Sequence, residues 1–439
     1  MTENIRDNSA SGLGLLARMR HRLWLDLFAA PPEQFAGLNG LRGISAYLVV
    51  FMHVAIFSGQ FLLLPGTKPD LSPFFLAING FWVGLDVFFV LSGFLIGRIL
   101  LASLQRTGTV EFWSFFTRRS MRIFPAYYLT LTFGLFVYAR LGIRSFHFIQ
   151  GGATWRDLLS SSWQNYLYVL NYYVSSGTPS IMSQAWSLCV EEHFYLALPP
   201  LLFLCFFARQ GARLPLLLAF TSIFFVVRVI GYVQQPDLVL LEGFYYRSHN
   251  RFDEPMVGVL IAYFHVFHHD AFRCWIERLG QRTWLIGMAL IASVWAFGGL
   301  QVQGPFAVIL QFLLMALGAG FLIVNTLFLK NGFTRFFEHP FWFPVSRVSY
   351  SIFLNHMFVL YVVMELPGFA PTRDMSVLRL SALAVVVMAL SILCASITYV
   401  LIERPLIDFG RRVSRRFRKD SLPSWQYARD LPHSPDVHR

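Results

Sequence analysis

The stretch LNGLRGISAYLVVFMHV, residues 38–54, holds two groups that can do chemistry: Arg42 and, eleven positions on, His53. A guanidinium is a permanent cation that suits a phosphate or carboxylate partner. An imidazole titrates near neutrality and can take a proton from a hydroxyl. Ionisable groups inside apolar stretches are costly, and each is a candidate for function by default. Asp86 and His356 fall inside two other apolar stretches. At ~1.5 Å per residue, His53 lies ~16 Å beyond Arg42, and Asp86 and His356 each ~12 Å from a span end. All three would therefore reach the middle third of a bilayer. A carboxylate beside an imidazole orients it and raises its basicity, so Asp86 is a candidate partner for His53. It could equally serve any other buried donor. His356 is a candidate pocket residue.

A second set of charged groups surrounds these. FFTRRSMRIFPAYY, residues 115–128, carries Arg118, Arg119 and Arg122. If helical, Arg119 and Arg122 share a face, and Pro125 fits the restart of a helix. Guanidinium forks bind phosphate bidentately, so a phosphorylated ligand is the sharp reading, against simple charge anchoring. SQAWSLCVEEHFYLALPP, residues 183–200, places Glu191 and Glu192 about one turn inside the outer end of a span. Adjacent helical residues point in different directions, so at most one faces a given pocket. SHNRFDEPMVG, residues 248–258, brings Arg251, Asp253 and Glu254 to an outer vestibule or a helix cap, and the role of Arg228 is open. HVFHHD, residues 265–270, spaces His265 and His269 by four, but no matching ligands follow, so no metal is expected. The LSGF at 91–94 is not a nucleophile elbow; Ser92 and Gly93 suit close helix packing.

Lipid is the solvent in which these groups must be positioned. Of 439 residues, 56% are hydrophobic and 14% charged, and the mean hydropathy is +0.53. Apolar runs at 41–58, 78–101, 123–140, 185–208, 214–234, 254–268, 284–300, 306–329, 348–366 and 380–402 predict an all-α, polytopic membrane protein with about ten transmembrane helices. With both termini cytoplasmic, 26 of the 36 Lys and Arg fall on the inner side and 7 on the outer side. That asymmetry sets the orientation. It also accounts for the net charge of +12 without nucleic acid as a partner. The tail RRVSRRFRK, residues 411–419, needs only topology and anionic lipid. The four cysteines (Cys189, Cys205, Cys274, Cys394) avoid the outer loops, so no disulfide is expected. No cleavable leader is expected at the N-terminus. No repeat relates the two halves.

The motifs, in order, resemble the membrane acyltransferase-3 family of O-acyltransferases. The Arg42-to-His53 spacing resembles its first-helix signature. GLDVFFVLSGFLIG (84–97), RRSMRIFPAYY (118–128), WSLCVEEHFYLALP (186–199), RFDEPMVGVLIA (251–262), SYSIFLNHM (349–357) and IERP (402–405) resemble its later blocks. The resemblance covers residues 35 to 408. Cys189 and His193 depart from the serine and glutamine commoner at those places; Glu191 matches.

The resemblance implies transfer of an acyl group, often acetyl, from cytoplasmic acyl-CoA to a hydroxyl of a glycan or other small molecule. No cofactor is held permanently; acyl-CoA, with acetyl-CoA first, is a co-substrate. The implied partners are acyl-CoA, the glycan or other acceptor, and membrane lipids, in a bacterial plasma (inner) membrane. His53 would be the general base, Asp86 would orient it, and Glu191, matching the family's glutamate, would be the third catalytic residue. Arg42, Arg119 and Arg122 would bind acyl-CoA, with Arg251 and His356 in the acceptor pocket. Expected organisation is a cytoplasmic N-terminal segment, 1–35, with an interfacial helix at 13–28; a membrane acyltransferase domain, 36–408; and a basic cytoplasmic tail, 409–439. The chain ends about 30 residues after the last matching motif, so a fused hydrolase-like domain is not expected. The competing reading is a multi-pass transporter of a lipid-linked or acylated sugar, with the buried His, Asp and Glu as a proton relay.

Overall fold

The computed structural model describes residues 27–28, 35–57, 80–141, 153–236, 240–296, 304–369 and 376–419. Among them the secondary structure is entirely helical. The interfacial helix expected at 13–28 lies almost wholly outside the described residues, as does the tail beyond 419.

Ten main helices form on the ten expected stretches. They are α1 Ala36–Ala55, α2 Val83–Thr107, α3 Phe112–Leu141, α4 Trp186–Phe207, α5 Gln210–Gln234, α6 Asp253–Phe267, α7 Arg282–Ala296, α8 Gln311–Phe328, α9 Trp342–Met364 and α10 Val377–Thr398. A basic helix, α11 Arg404–Lys419, follows α10 through a one-turn π segment at Tyr399–Glu403.

Seven of these are long and apolar enough to cross a membrane: α1, α2, α4, α5, α8, α9 and α10. The other three fall short for two reasons. At 15 residues each, α6 and α7 extend only ~22 Å, against ~30 Å of hydrocarbon. The 30-residue α3 is long enough, but its first half carries Arg118, Arg119 and Arg122. Pro125 does not restart a helix there: α3 runs through it unbroken. The arginine stretch is therefore helical rather than a loop.

The short α6 is the centre of the bundle, with ten buried residues from Asp253 to Tyr263. It reaches that position by packing backbone to backbone on α2. A Cβ at Gly93 would stand 1.9 Å from the Pro255 carbonyl oxygen, and one at Gly258 2.1 Å from that of Val90. Small residues let membrane helices approach this closely. By contrast α5 buries only Leu217 and Arg228. Its exposed Leu218, Ile223, Val226, Ile230 and Val233 suit contact with lipid tails.

Part of the long segment between α3 and α4 is compact. A capping box closes Thr154 on Asp157 at the start of helix Trp155–Ser161. Tyr127 and Tyr128 on α3 donate to the carbonyl oxygens of Asn165 and Tyr166, each at 3.0 Å.

Candidate active site

The bundle holds a partly open cavity of about 330 Å³. Arg42 comes to it from α1, Arg119 and Arg122 from α3, and Glu191 and Tyr195 from α4. Leu85, Leu91 and Ile96 of α2 and Phe353 of α9 supply apolar wall. All three arginines proposed for phosphate recognition thus face one space. The helical continuity of α3 makes this possible, because it sets Arg119 and Arg122 one turn apart.

Glu191 faces the same cavity as the three arginines. The 3₁₀ turn Ser183–Ala185 leads directly into α4, so Glu191 sits nearly two turns deep in the bundle. Its neighbour Glu192 points elsewhere and is buried, as the ~100° step between adjacent helical residues requires.

Tyr195 links the polar groups. Its hydroxyl donates to Glu191 Oε2 at 2.8 Å. The guanidinium of Arg119 donates to the same hydroxyl and lies 4.1 Å from the centre of the tyrosine ring. Ser92 Oγ bonds that hydroxyl too. Gly93 packs as expected, but Ser92 belongs to the cavity wall. Tyr195 and Ser92 were not candidates on the sequence. For Tyr195 the signal was present: it lies four residues after Glu191, on the same helical face.

His53 and His356 meet each other. Their ring centroids are 5.0 Å apart, and His356 Nε2 lies 3.3 Å from His53 Nδ1. Neither is among the residues lining the cavity. Phe353 is, and its ring centroid is 5.8 Å from that of His356. One aromatic side chain therefore connects the cavity wall to the histidine pair.

Asp86 does not meet His53. Its Oδ1 accepts from Arg251 at 2.5 Å. Arg251 also donates to Glu254 Oε2 at 3.0 Å and to the Tyr245 carbonyl at 3.2 Å. Arg251 is not at a pocket surface either: its guanidinium is fully buried. The rings of Phe89, Trp186, Tyr245 and Phe312 surround it at 4.4–5.9 Å. The physical reason is that a buried charge without a partner costs several kcal/mol, about 3–5 when one is removed. Asp86 and Glu254 are the acids within reach. Arg228, whose role the sequence leaves open, forms a second closed pair, with Nη1 and Nη2 at 2.8 and 2.5 Å from Asp253 Oδ1 and Oδ2.

The rings of His265 and His269 lie 5.1 Å apart, tilted by 51°. Among the described residues no group of three or more His, Cys, Asp or Glu is placed to hold a metal ion. Glu403, of the IERP motif, is buried and accepts from Ser351.

A family model described as "Acyltransferase domain" matches residues 35–399. YrhL of Bacillus subtilis (strain 168), provisionally named a peptidoglycan O-acetyltransferase, is 33% identical over 180 residues, 40% of this chain and 25% of that protein. OatA of Listeria monocytogenes, named a peptidoglycan O-acetyltransferase, is 32% identical over 124 residues, 28% of this chain and 20% of its own. SAR0937 of Staphylococcus aureus (strain MRSA252), provisionally named an O-acetyltransferase, is 23% identical over 417 residues, 89% of this chain and 60% of that one. The chain thus spans less than two thirds of each relative's length. No solved structure matches it. The helical bundle, the ordered motifs and the match along most of its length place the chain in the acyltransferase-3 family.

Proposed function

We propose that this chain is a membrane O-acetyltransferase that moves an acetyl group from acyl-CoA to a hydroxyl of a cell-wall glycan of the peptidoglycan class. One observation carries the donor half: Arg42, Arg119 and Arg122 line a single cavity. Three permanent cations around ~330 Å³ of largely apolar wall suit a ligand with a phosphorylated end and an uncharged arm. Coenzyme A has that form. The acceptor class rests on the names of the relatives.

The unit that does this is residues 36–408, with 1–35 and 409–439 as inner-side flanks, in the plasma membrane of a bacterium. All ten main helices would be embedded, the shorter α6 and α7 shielded by their neighbours. The cavity would open to the cytoplasm, where acyl-CoA is found. His53 would take the proton of the acceptor hydroxyl as its oxygen attacks the thioester carbonyl. The thiolate of coenzyme A leaves and accepts a proton.

A covalent route has its own support in Tyr195. Its hydroxyl lies between Glu191 and Arg119, in the cavity wall. In that route the phenol oxygen attacks the thioester carbonyl and its proton passes to Glu191. Glu191 returns the proton to the departing thiolate. The acceptor hydroxyl, deprotonated by His53, then displaces the tyrosine, and the proton held by His53 returns to the phenolate. Tyr195→Phe separates the routes. Direct transfer keeps turnover within about tenfold, whereas the covalent route loses it along with any acetyl label on the protein.

The test of the proposal uses the protein in bilayer discs with labelled acetyl-CoA and peptidoglycan fragments. Wild type transfers alkali-labile label, and His53→Ala loses about 10²–10⁴-fold while its melting profile is kept. Transfer undiminished in His53→Ala contradicts the assignment of the base.

A further inference from the structure

The histidine pair carries more than proximity, because the main chain fixes which nitrogen of each ring holds the proton. His53 Nδ1 lies 2.8 Å from the carbonyl oxygen of Val49, four residues back on α1. His356 Nδ1 lies 3.1 Å from that of Ile352, four residues back on α9. A carbonyl oxygen can only accept, so each Nδ1 that faces one carries a hydrogen when the ring is neutral. The other nitrogen of each neutral ring then carries a lone pair. For His356 that nitrogen is Nε2, and it points at His53 Nδ1 across 3.3 Å. The opposite assignment would set a lone pair against a carbonyl oxygen at both rings.

The consequence is directional. His53 Nδ1–H is shared between the Val49 carbonyl and the lone pair of His356. His53 Nε2 is left unprotonated, with the remaining face of the ring stacked on Phe57 at 6.1 Å and 7°. Nε2 is therefore the nitrogen able to accept a proton. When it does, positive charge spreads to Nδ1–H, and the neutral His356 becomes the acceptor that stabilises it. A carboxylate fills this position in many catalytic dyads. Here the acid expected there, Asp86, is committed to Arg251.

We propose that His356 is a positioning residue for His53: it holds the imidazole in the Nδ1–H form and accepts from it as His53 charges. The inference rests on the reading of His53 as the general base. His356 itself touches no reacting atom and moves no proton to or from substrate.

The experiment compares His356→Gln and His356→Leu in bilayer discs, with labelled acetyl-CoA and peptidoglycan fragments as substrates. A glutamine can present its side-chain carbonyl oxygen to His53 Nδ1–H; a leucine of similar bulk cannot. The expected result is a kcat within about tenfold of wild type for His356→Gln. For His356→Leu kcat falls about 10²-fold, as when a positioned base is lost, with KM for acetyl-CoA unchanged and both variants melting together. A purely structural role moves both variants alike, or moves KM with kcat, and overturns the proposal. Full kcat in His356→Leu, while His53→Ala is inactive, overturns it and leaves His53 as the base. Full kcat in His53→Ala removes the base itself, and this inference with it.

Discussion

Two regions of the bundle use the same residue types to opposite ends. Between α2, α5 and α6, Arg251 and Arg228 are closed by Asp86, Glu254 and Asp253, with every charged group buried. Around the cavity, Arg42 and Arg122 are in no ion pair among the described residues, and Arg119 bonds a neutral hydroxyl. The first region has spent its charges on one another. The second leaves its positive charge facing ~330 Å³ of space. Charge at membrane depth is therefore no guide to chemistry by itself; an unsatisfied charge on a cavity wall is. The transport reading needs a relay of acids and histidines, yet Asp86 is held by Arg251 and separated from the histidine pair.

This contrast can be broken in order of expected effect. The largest concerns the closed region. Asp253→Ala leaves Arg228 buried without its carboxylate and costs about 3–5 kcal/mol. Thermal or denaturant unfolding in detergent would register the loss, and the surviving folded protein should bind acetyl-CoA as wild type does. Unaltered unfolding would mean that the pair is not the structural clamp its burial implies. Next is the glycine contact. Gly258→Val forces side-chain atoms into the Val90 and Phe94 backbone and should lower the yield of folded protein. A normal yield and melting profile would place α6 elsewhere. The smallest effect belongs to an exposed pair, Arg273 and Glu277, at 2.8 Å and over 45% exposed on both sides. Arg273→Ala should leave the unfolding midpoint where it was, because water screens such pairs. A clear shift would show that ion pairs count here regardless of burial.

How much of this was legible in the sequence follows from the range of each signal. Hydropathy is local, and helices form on every stretch it marked. The spacing of Arg119 and Arg122 is local too, and it placed both on one face. The partners of Asp86 and His53 were not legible. Asp86 and Arg251 are 165 residues apart, and His53 and His356 are 303 apart. Depth along a helix fixes only one coordinate of three. Counting from the span ends predicts a similar depth for Asp86 and His53, but the close seating of α2 on α6 carries the acid to Arg251. Which of Glu191 and Glu192 enters the cavity was not legible for a related reason, since distance from a span end says nothing of which space a side chain enters. Tyr195 was hidden by its type: a tyrosine in an apolar helix reads as packing until a carboxylate is found four residues before it.

The most direct test of the contrast measures donor binding without any acceptor. Equilibrium binding of acetyl-CoA to the protein in bilayer discs is compared for wild type, Arg119→Ala/Arg122→Ala and, as a control arginine in an exposed pair away from the cavity, Arg273→Ala. Each charge-assisted contact is worth about 1.5–3 kcal/mol, so the double variant should bind at least about tenfold more weakly while the control is unchanged. An unaltered Kd in a folded double variant would remove these arginines from the donor site and, with them, the claim that the open cavity is where acyl-CoA is held.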